Sequence, residues 1–159
     1  MEREMTPQKR ASLSIKGLKI RTKSETEATN QGKICSLWKS FHDSISPQLQ
    51  EDDQFYGVFF NNDPEQLDTF DVLAGVTSKD FDKNGIGVSE EISEVVLEEG
   101  NYLMFSAVGS LPQATLRAWQ QVRRYFNEKD CPYERTYITD YEHYIAKGLT
   151  KLYISVKPK

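Results

Sequence analysis

Between residues 12 and 157 the chain runs twice through one order of patterns: an extended segment, an amphipathic helix, then two more extended segments. In the first pass, Leu13, Ile15, Leu18 and Ile20 surround Gly17 and predict a strand with a bulge or bend at the glycine. Ser24-Glu25-Thr26-Glu27, or Thr29 further on, offers a cap for a helix. The helix carries an apolar stripe of Ile34, Leu37, Trp38, Phe41 and Ile45 and stops at Ser46-Pro47. Phe55–Phe60 and Thr69–Val76 then read as strands around an Asn61-Asn62-Asp63-Pro64 turn. In the second pass Asn101–Val108 is extended, and Ser110-Leu111-Pro112-Gln113 predicts a second capping box. Leu111, Thr115, Ala118, Trp119, Val122, Tyr125 and Phe126 make the stripe, and Thr136–Ile145 and Leu152–Val156 close the unit. Even the helices correspond, Leu37-Trp38 with Phe41 against Ala118-Trp119 with Val122. A duplicated strand–helix–strand–strand unit predicts an α+β fold: an antiparallel sheet with both helices packed on it and a pseudo-two-fold axis between the halves. Paired elements facing one another across such an axis leave a central cleft, a natural ligand site.

The pseudo-repeats run from about 12 to 78 and 92 to 157 within one domain, 12–159. Residues 1–11 read as a disordered leader and 77–91 as a linker. With 159 residues, one shared core is expected. No apolar run is long enough for a membrane helix and no secretory signal opens the chain, so a cytoplasmic protein with no membrane partner is expected. Charge is uneven. Residues 1–23 hold seven Lys/Arg against two Glu, while the rest holds 13 Lys/Arg against 22 Asp/Glu. That acidic remainder repels phosphates, so no direct nucleic-acid binding is expected and cationic partners are favoured.

Few chemistries are available. His42 and His143 lack second ligands at metal spacing, and Cys35 and Cys131 stand alone, so neither a metal nor another cofactor is expected. Cys35 is expected as a buried, inert thiol on its helix. Asp82-Lys83-Asn84-Gly85-Ile86-Gly87 lacks the context of a phosphate loop and reads as a turn. What remains is aromatic surface around one carboxylate, Glu142, in the segment Tyr137–Ile145. A glutamate on so aromatic a strand is either at the wet face of a sheet or held in a pocket. In a pocket, aromatic faces and a half-desolvated carboxylate would suit a lipophilic cation. Alternation groups Glu142 with Asp140 and Tyr144, and sets Tyr141 and His143 on the other face. Tyr56, Val58 and Phe60 share a face of their own strand; which face turns inward stays open.

In order along the chain, these residues resemble the GyrI-like family. The match is carried by Ile34-x-x-Leu37-Trp38-x-x-Phe41, Tyr56-Gly57-Val58 and Phe70-Asp71-x-x-Ala74-Gly75-Val76. It continues through Glu98-Glu99-Gly100-Asn101-Tyr102-x-x-Phe105, Ala118-Trp119, Tyr141-Glu142-x-Tyr144 and Leu152–Lys157. The family comprises effector-binding domains found alone in gyrase-inhibitory proteins or fused to DNA-binding domains in AraC- and MerR-type multidrug-responsive regulators. The resemblance implies a stand-alone bacterial effector-binding domain, without a DNA-binding domain of its own, whose usual ligands are lipophilic cations. It places the family's cleft acid on Glu142 and its helix tryptophans on Trp38 and Trp119; Val72 stands where family members often carry tyrosine. The expected ligand-binding set is Glu142, Trp38, Trp119, Tyr56, Tyr144 and Phe105, and binding rather than turnover is expected. Expected partners are lipophilic cationic small molecules and, on the protein side, a transcription regulator or DNA gyrase. Two alternatives remain open. One is a hydrolase of cyclopropane-containing toxins, with Glu142 as general base and Tyr144 or Tyr56 orienting the electrophile. The other is an interaction protein for gyrase or a transcription factor.

Overall fold

The structure, a computed structural model, describes residues 5–159. In chain order its elements are β1 (Gln8–Arg10), β2 (Leu13–Lys23), α1 (Ser24–Glu27) and α2 (Ile34–Ser44), followed by a 3-10 turn at Ser46–Gln48. Next come β3 (Phe55–Phe60), β4 (Thr69–Thr77), α3 (Ser78–Lys83), β5 (Ser93–Leu97) and β6 (Gly100–Val108). The chain closes with α4 (Gln113–Asn127), β7 (Tyr133–Arg135), β8 (Thr139–Ala146) and β9 (Leu149–Pro158). No helix among the described residues is long and apolar enough to cross a membrane.

All strand pairs are antiparallel, in the order β1-β6-β9-β8-β3-β4-β2-β5, with β7 added on β9. The duplication is visible in that order. The first unit contributes β2, β4 and β3 from outside to centre, and the second mirrors it with β6, β9 and β8. The halves meet where β3 pairs β8, placing Gly57 opposite Glu142 and Phe59 opposite Asp140.

Each helix covers its own half of one sheet face. Leu37 and Phe41 of α2, with Ile45 just beyond its end, pack on Val72, Ala74 and Val76 of β4. Ala114, Ala118 and Val122 of α4 pack on Leu103, Phe105 and Ala107 of β6 and on Leu152, Ile154 and Val156 of β9. On the opposite face, Ile15, Val58, Leu97, Tyr102, Tyr141 and Tyr153 form a cluster drawn from almost the whole width of the sheet. Strands so far apart in the order share a cluster because the sheet curls into a half-barrel. Gly17 of β2 faces Gly75 of β4. A Cβ on Gly17 would stand 2.0 Å from the Ala74 carbonyl oxygen, so the two backbones approach as only glycine permits.

Several local expectations change. Of the expected leader, residues 1–4 lie outside the described residues, and Gln8–Arg10 is a strand, because it finds the open edge of β6 at Tyr102–Gly100. The expected linker holds α3, whose N-terminus is capped by the Thr77 hydroxyl accepting from the Asp80 N–H. Ser24–Glu27 is only one turn, and Glu27 caps the next helix instead. Its carboxylate accepts from the N–H of Lys33 at 2.8 Å and of Ile34 at 3.1 Å, while Thr22 donates to it at 2.6 Å. No side-chain cap forms at α4. The expected strand Thr136–Ile145 breaks at Tyr137, whose φ of 56° is left-handed, so β8 begins at Thr139. Cys35 is exposed rather than buried, whereas Cys131 is buried.

Candidate functional site

Between α2 and α4 the sheet floor is β3 and β8, and at its centre lies Glu142, 6% exposed. Trp119 Nε1 donates to its Oε2 at 2.8 Å and the Tyr144 hydroxyl donates to its Oε1 at 2.6 Å. Both carboxylate oxygens are therefore hydrogen-bonded, yet among the described residues no Lys, Arg or His forms an ion pair with Glu142. Burial pushes its carboxyl above the usual value, and the bonds from Tyr144 and Trp119 pull it part of the way back. Tyr144 in turn is held well above the ordinary phenol range by burial and by the neighbouring carboxylate, so it stays a donor.

The walls are aromatic and come from both repeats. Trp38 reaches in from α2 because Leu37 and Phe41, its neighbours on the helical stripe, are buried on β4. Its ring meets Tyr144 edge-on at 5.1 Å between centroids. Trp119 occupies the matching place on α4, beside buried Ala118 and Val122, and meets Phe59 edge-on at 5.0 Å. Phe70 stands behind Phe59 at 5.8 Å. Gly57 makes the closeness possible. A Cβ there would lie 3.0 Å from Glu142 Oε1 and 3.2 Å from Trp38 Cζ2, so the missing side chain is the space that the acid and the ring occupy.

Four of the six expected residues, Glu142, Trp38, Trp119 and Tyr144, are thus brought together. The structure places Tyr56 and Phe105 elsewhere. Tyr56 pairs with His143, across from the parity of Glu142, and stacks on that histidine at 4.4 Å within the half-barrel. Phe105 lies under α4 against Tyr125, 5.9 Å between centroids. Val72 is fully buried beneath α2, opposite Phe59 on β3. Gly57, Phe59 and Phe70 stand at the site but outside the expected ligand-binding set. Glycine in mid-strand marks a close approach, and Phe59 follows by alternation once Gly57 is set on the acid's face.

The site is closed in this conformation. Two open hollows, of about 570 and 290 Å³, lie away from Glu142, one beside Phe105 and Tyr125 and the other beside Arg10 and Tyr141. Among the described residues no three His, Cys, Asp or Glu side chains cluster as a metal would need. The site is thus a buried carboxyl group with aromatic walls and, among the described residues, no cationic partner.

Fold and site together define an effector-binding domain of the GyrI-like type. The chain belongs to the Cass2 family of integron-associated effector binding proteins, whose family model matches residues 9–156. No curated protein matches its sequence. Among solved structures it is similar to an integron cassette protein from the mobile metagenome of Vibrio cholerae, with 28% identity over 96% of this chain and 95% of that one, at a TM-score of 0.84. It shares its fold with SAV2435 bound to tetraphenylphosphonium, at 19% identity, 98% and 94% coverage and a TM-score of 0.73. The same fold appears in a transcription regulation protein of Staphylococcus aureus MU50, at 19% identity, 97% and 98% coverage and a TM-score of 0.72.

Proposed function

We propose that this domain binds hydrophobic cationic small molecules between Trp38 and Trp119, with Glu142 as their countercharge, and so senses or sequesters them. The observation that carries the reading is the isolation of Glu142: buried, hydrogen-bonded, and without a cationic partner among the described residues. Buried charges in folded proteins are ordinarily paired, and leaving one unpaired is costly unless a ligand completes it. The two hydrogen bonds keep the carboxylate ionisable and use the positions a ligand donor would want. A ligand need not donate hydrogen bonds at all; a diffuse charge wrapped in apolar groups suits the site better. Ring faces add about 0.5–2 kcal/mol for each cation–π contact made on desolvation. Recognition by charge and apolar bulk tolerates many shapes, which fits an effector domain answering several compounds. The tetraphenylphosphonium carried by the structurally similar SAV2435 is a ligand of this chemistry.

Entry requires the aromatic walls to part, because the closed site leaves Glu142 almost no exposed surface. Both tryptophans sit at the wall, so their fluorescence reports occupancy. Titration with tetraphenylphosphonium is expected to quench it saturably at micromolar concentration, a scale of about −8 kcal/mol. Triphenylphosphine oxide, neutral and of similar girth, is expected to bind much more weakly. Equal affinity for both would refute the countercharge role of Glu142.

A further inference from the structure

Glu142 has a second acid on its own face. Asp140 alternates with it along β8, about 7 Å away at the rise of an extended strand, and is only 3% exposed. Unlike Glu142, Asp140 is fully answered within the protein. Arg135 Nη2 reaches its Oδ2 at 2.7 Å, while the Ser155 N–H and hydroxyl donate to its Oδ1 at 2.8 and 3.0 Å. The guanidinium belongs to the wall of the site. It lies 5.9 Å from the Trp119 ring centroid and 4.4 Å from that of Tyr137. Trp119 also packs on Phe59, the residue opposite Asp140. Arg135 Nε is buried and has no hydrogen-bond partner among the described residues. Besides its one hydrogen bond to Asp140, the guanidinium supplies the buried acid with a countercharge.

Resting on the cation-binding reading above, we infer that Arg135, by neutralising Asp140, sets the net charge of the site at one and thereby selects monocations over dications. Without Arg135 the site would present two carboxylates about one ligand length apart, the arrangement that a dication fits. With the pair intact, the second charge of a dication would meet a neutral ion pair and the nearby guanidinium. Arg135 is therefore a specificity-determining residue that need not touch the ligand.

The test compares tetraphenylphosphonium with benzyl viologen, an aromatic dication, by calorimetric titration of the full chain and three variants. In Arg135→Gln the affinity ratio of dication to monocation is expected to rise about tenfold, the effect of one extra unit charge near the ligand in a partly screened site. Asp140→Asn is expected to lower that ratio. The double variant, which removes both charges, is expected to return it to within about twofold of the wild type, since the net charge is restored. Should Arg135→Gln alone not fold, as thermal unfolding would show, Asp140→Asn and the double variant still decide the matter. Ratios that stay at the wild-type value in folded variants would overturn this inference alone. A wild-type chain that binds neither cation would overturn the cation reading and this inference with it.

Discussion

A methyl group added at Gly57 would press on Glu142 Oε1 at 3.0 Å and on Trp38 Cζ2 at 3.2 Å, so that the buried acid and the ring would both have to shift. Gly57→Ala is therefore expected to cost about 1–2 kcal/mol of stability and to weaken cation binding more than it weakens the fold. Chemical denaturation set beside calorimetric titration would separate the two. The titration of Glu142 supplies a second prediction. Burial holds its folded carboxyl above the ordinary 4.5, so the protonated form is the one the folded state favours. That contribution is full below the unfolded value and is lost as pH rises through the folded value. Glu142→Gln, which keeps an acceptor for Trp119 and a partner for Tyr144, is accordingly expected to raise the melting temperature at pH 8 by roughly 2–4 °C per kcal/mol gained, and to give no gain near pH 4. A cation prefers the carboxylate, so affinity runs the other way, rising with pH through the same window. His143 has the opposite sign: burial, with Arg10 and Lys151 adding to it, lowers it from 6.5 to about 4. Its neutral form, bonded to Gln54 Oε1 at 2.6 Å, stabilises the fold above 6.5, and that contribution is lost as pH falls towards 4. His143→Gln should flatten the acid limb of the stability profile and leave cation affinity unchanged, because it faces away from Glu142.

Among the elements, the crossing of β2 and β4 is the most exacting. A Cβ at Gly17 or Gly75 would meet a backbone oxygen at 2.0 or 2.2 Å, which no side-chain movement relieves. Gly17→Ala is expected to lose about 3 kcal/mol or more, read as a lower urea midpoint at unchanged slope. Gly100→Ala, with nothing within 4 Å of the new methyl, should be close to neutral. The same strands show what the sequence could convey. Helix periodicity placed Trp38 and Trp119 correctly, since a 3.6-residue stripe fixes which neighbours are buried and so where the odd aromatic points. Alternation grouped Glu142 with Tyr144 and Asp140 for the same reason. Alternation cannot say which residue of β3 stands opposite Glu142, and there a shift of one residue exchanges Tyr56 for Gly57 and Phe59. Edge strand β1 and helix α3 were illegible because neither carries a periodic apolar pattern of its own. The first forms by filling an open edge on β6 and the second by a Thr77 cap. Arg135 is not legible in the sequence because its partner is set by the break at Tyr137, a backbone turn that an aromatic residue does not announce.

For the whole molecule, the two repeats meet where β3 pairs β8, at the site, so occupancy should tie the halves together. With ligand at 100 times its dissociation constant, about 2.7 kcal/mol of stabilisation is expected, or roughly 5–10 °C in melting temperature for a chain of this size. Hydrogen exchange should slow most along β3 and β8, the strands that join the halves. Slowing confined to the hollow beside Phe105 would point to a different binding place. The measurement that bears most directly on the central claim is a two-by-two comparison: wild type and Glu142→Gln, each titrated with tetraphenylphosphonium and with triphenylphosphine oxide. The substitution is expected to weaken the cation by about tenfold or more, as for one desolvated charge pair, and to leave the neutral compound within about twofold. Equal losses for the two compounds, or a cation affinity that survives the loss of the carboxylate, would contradict it.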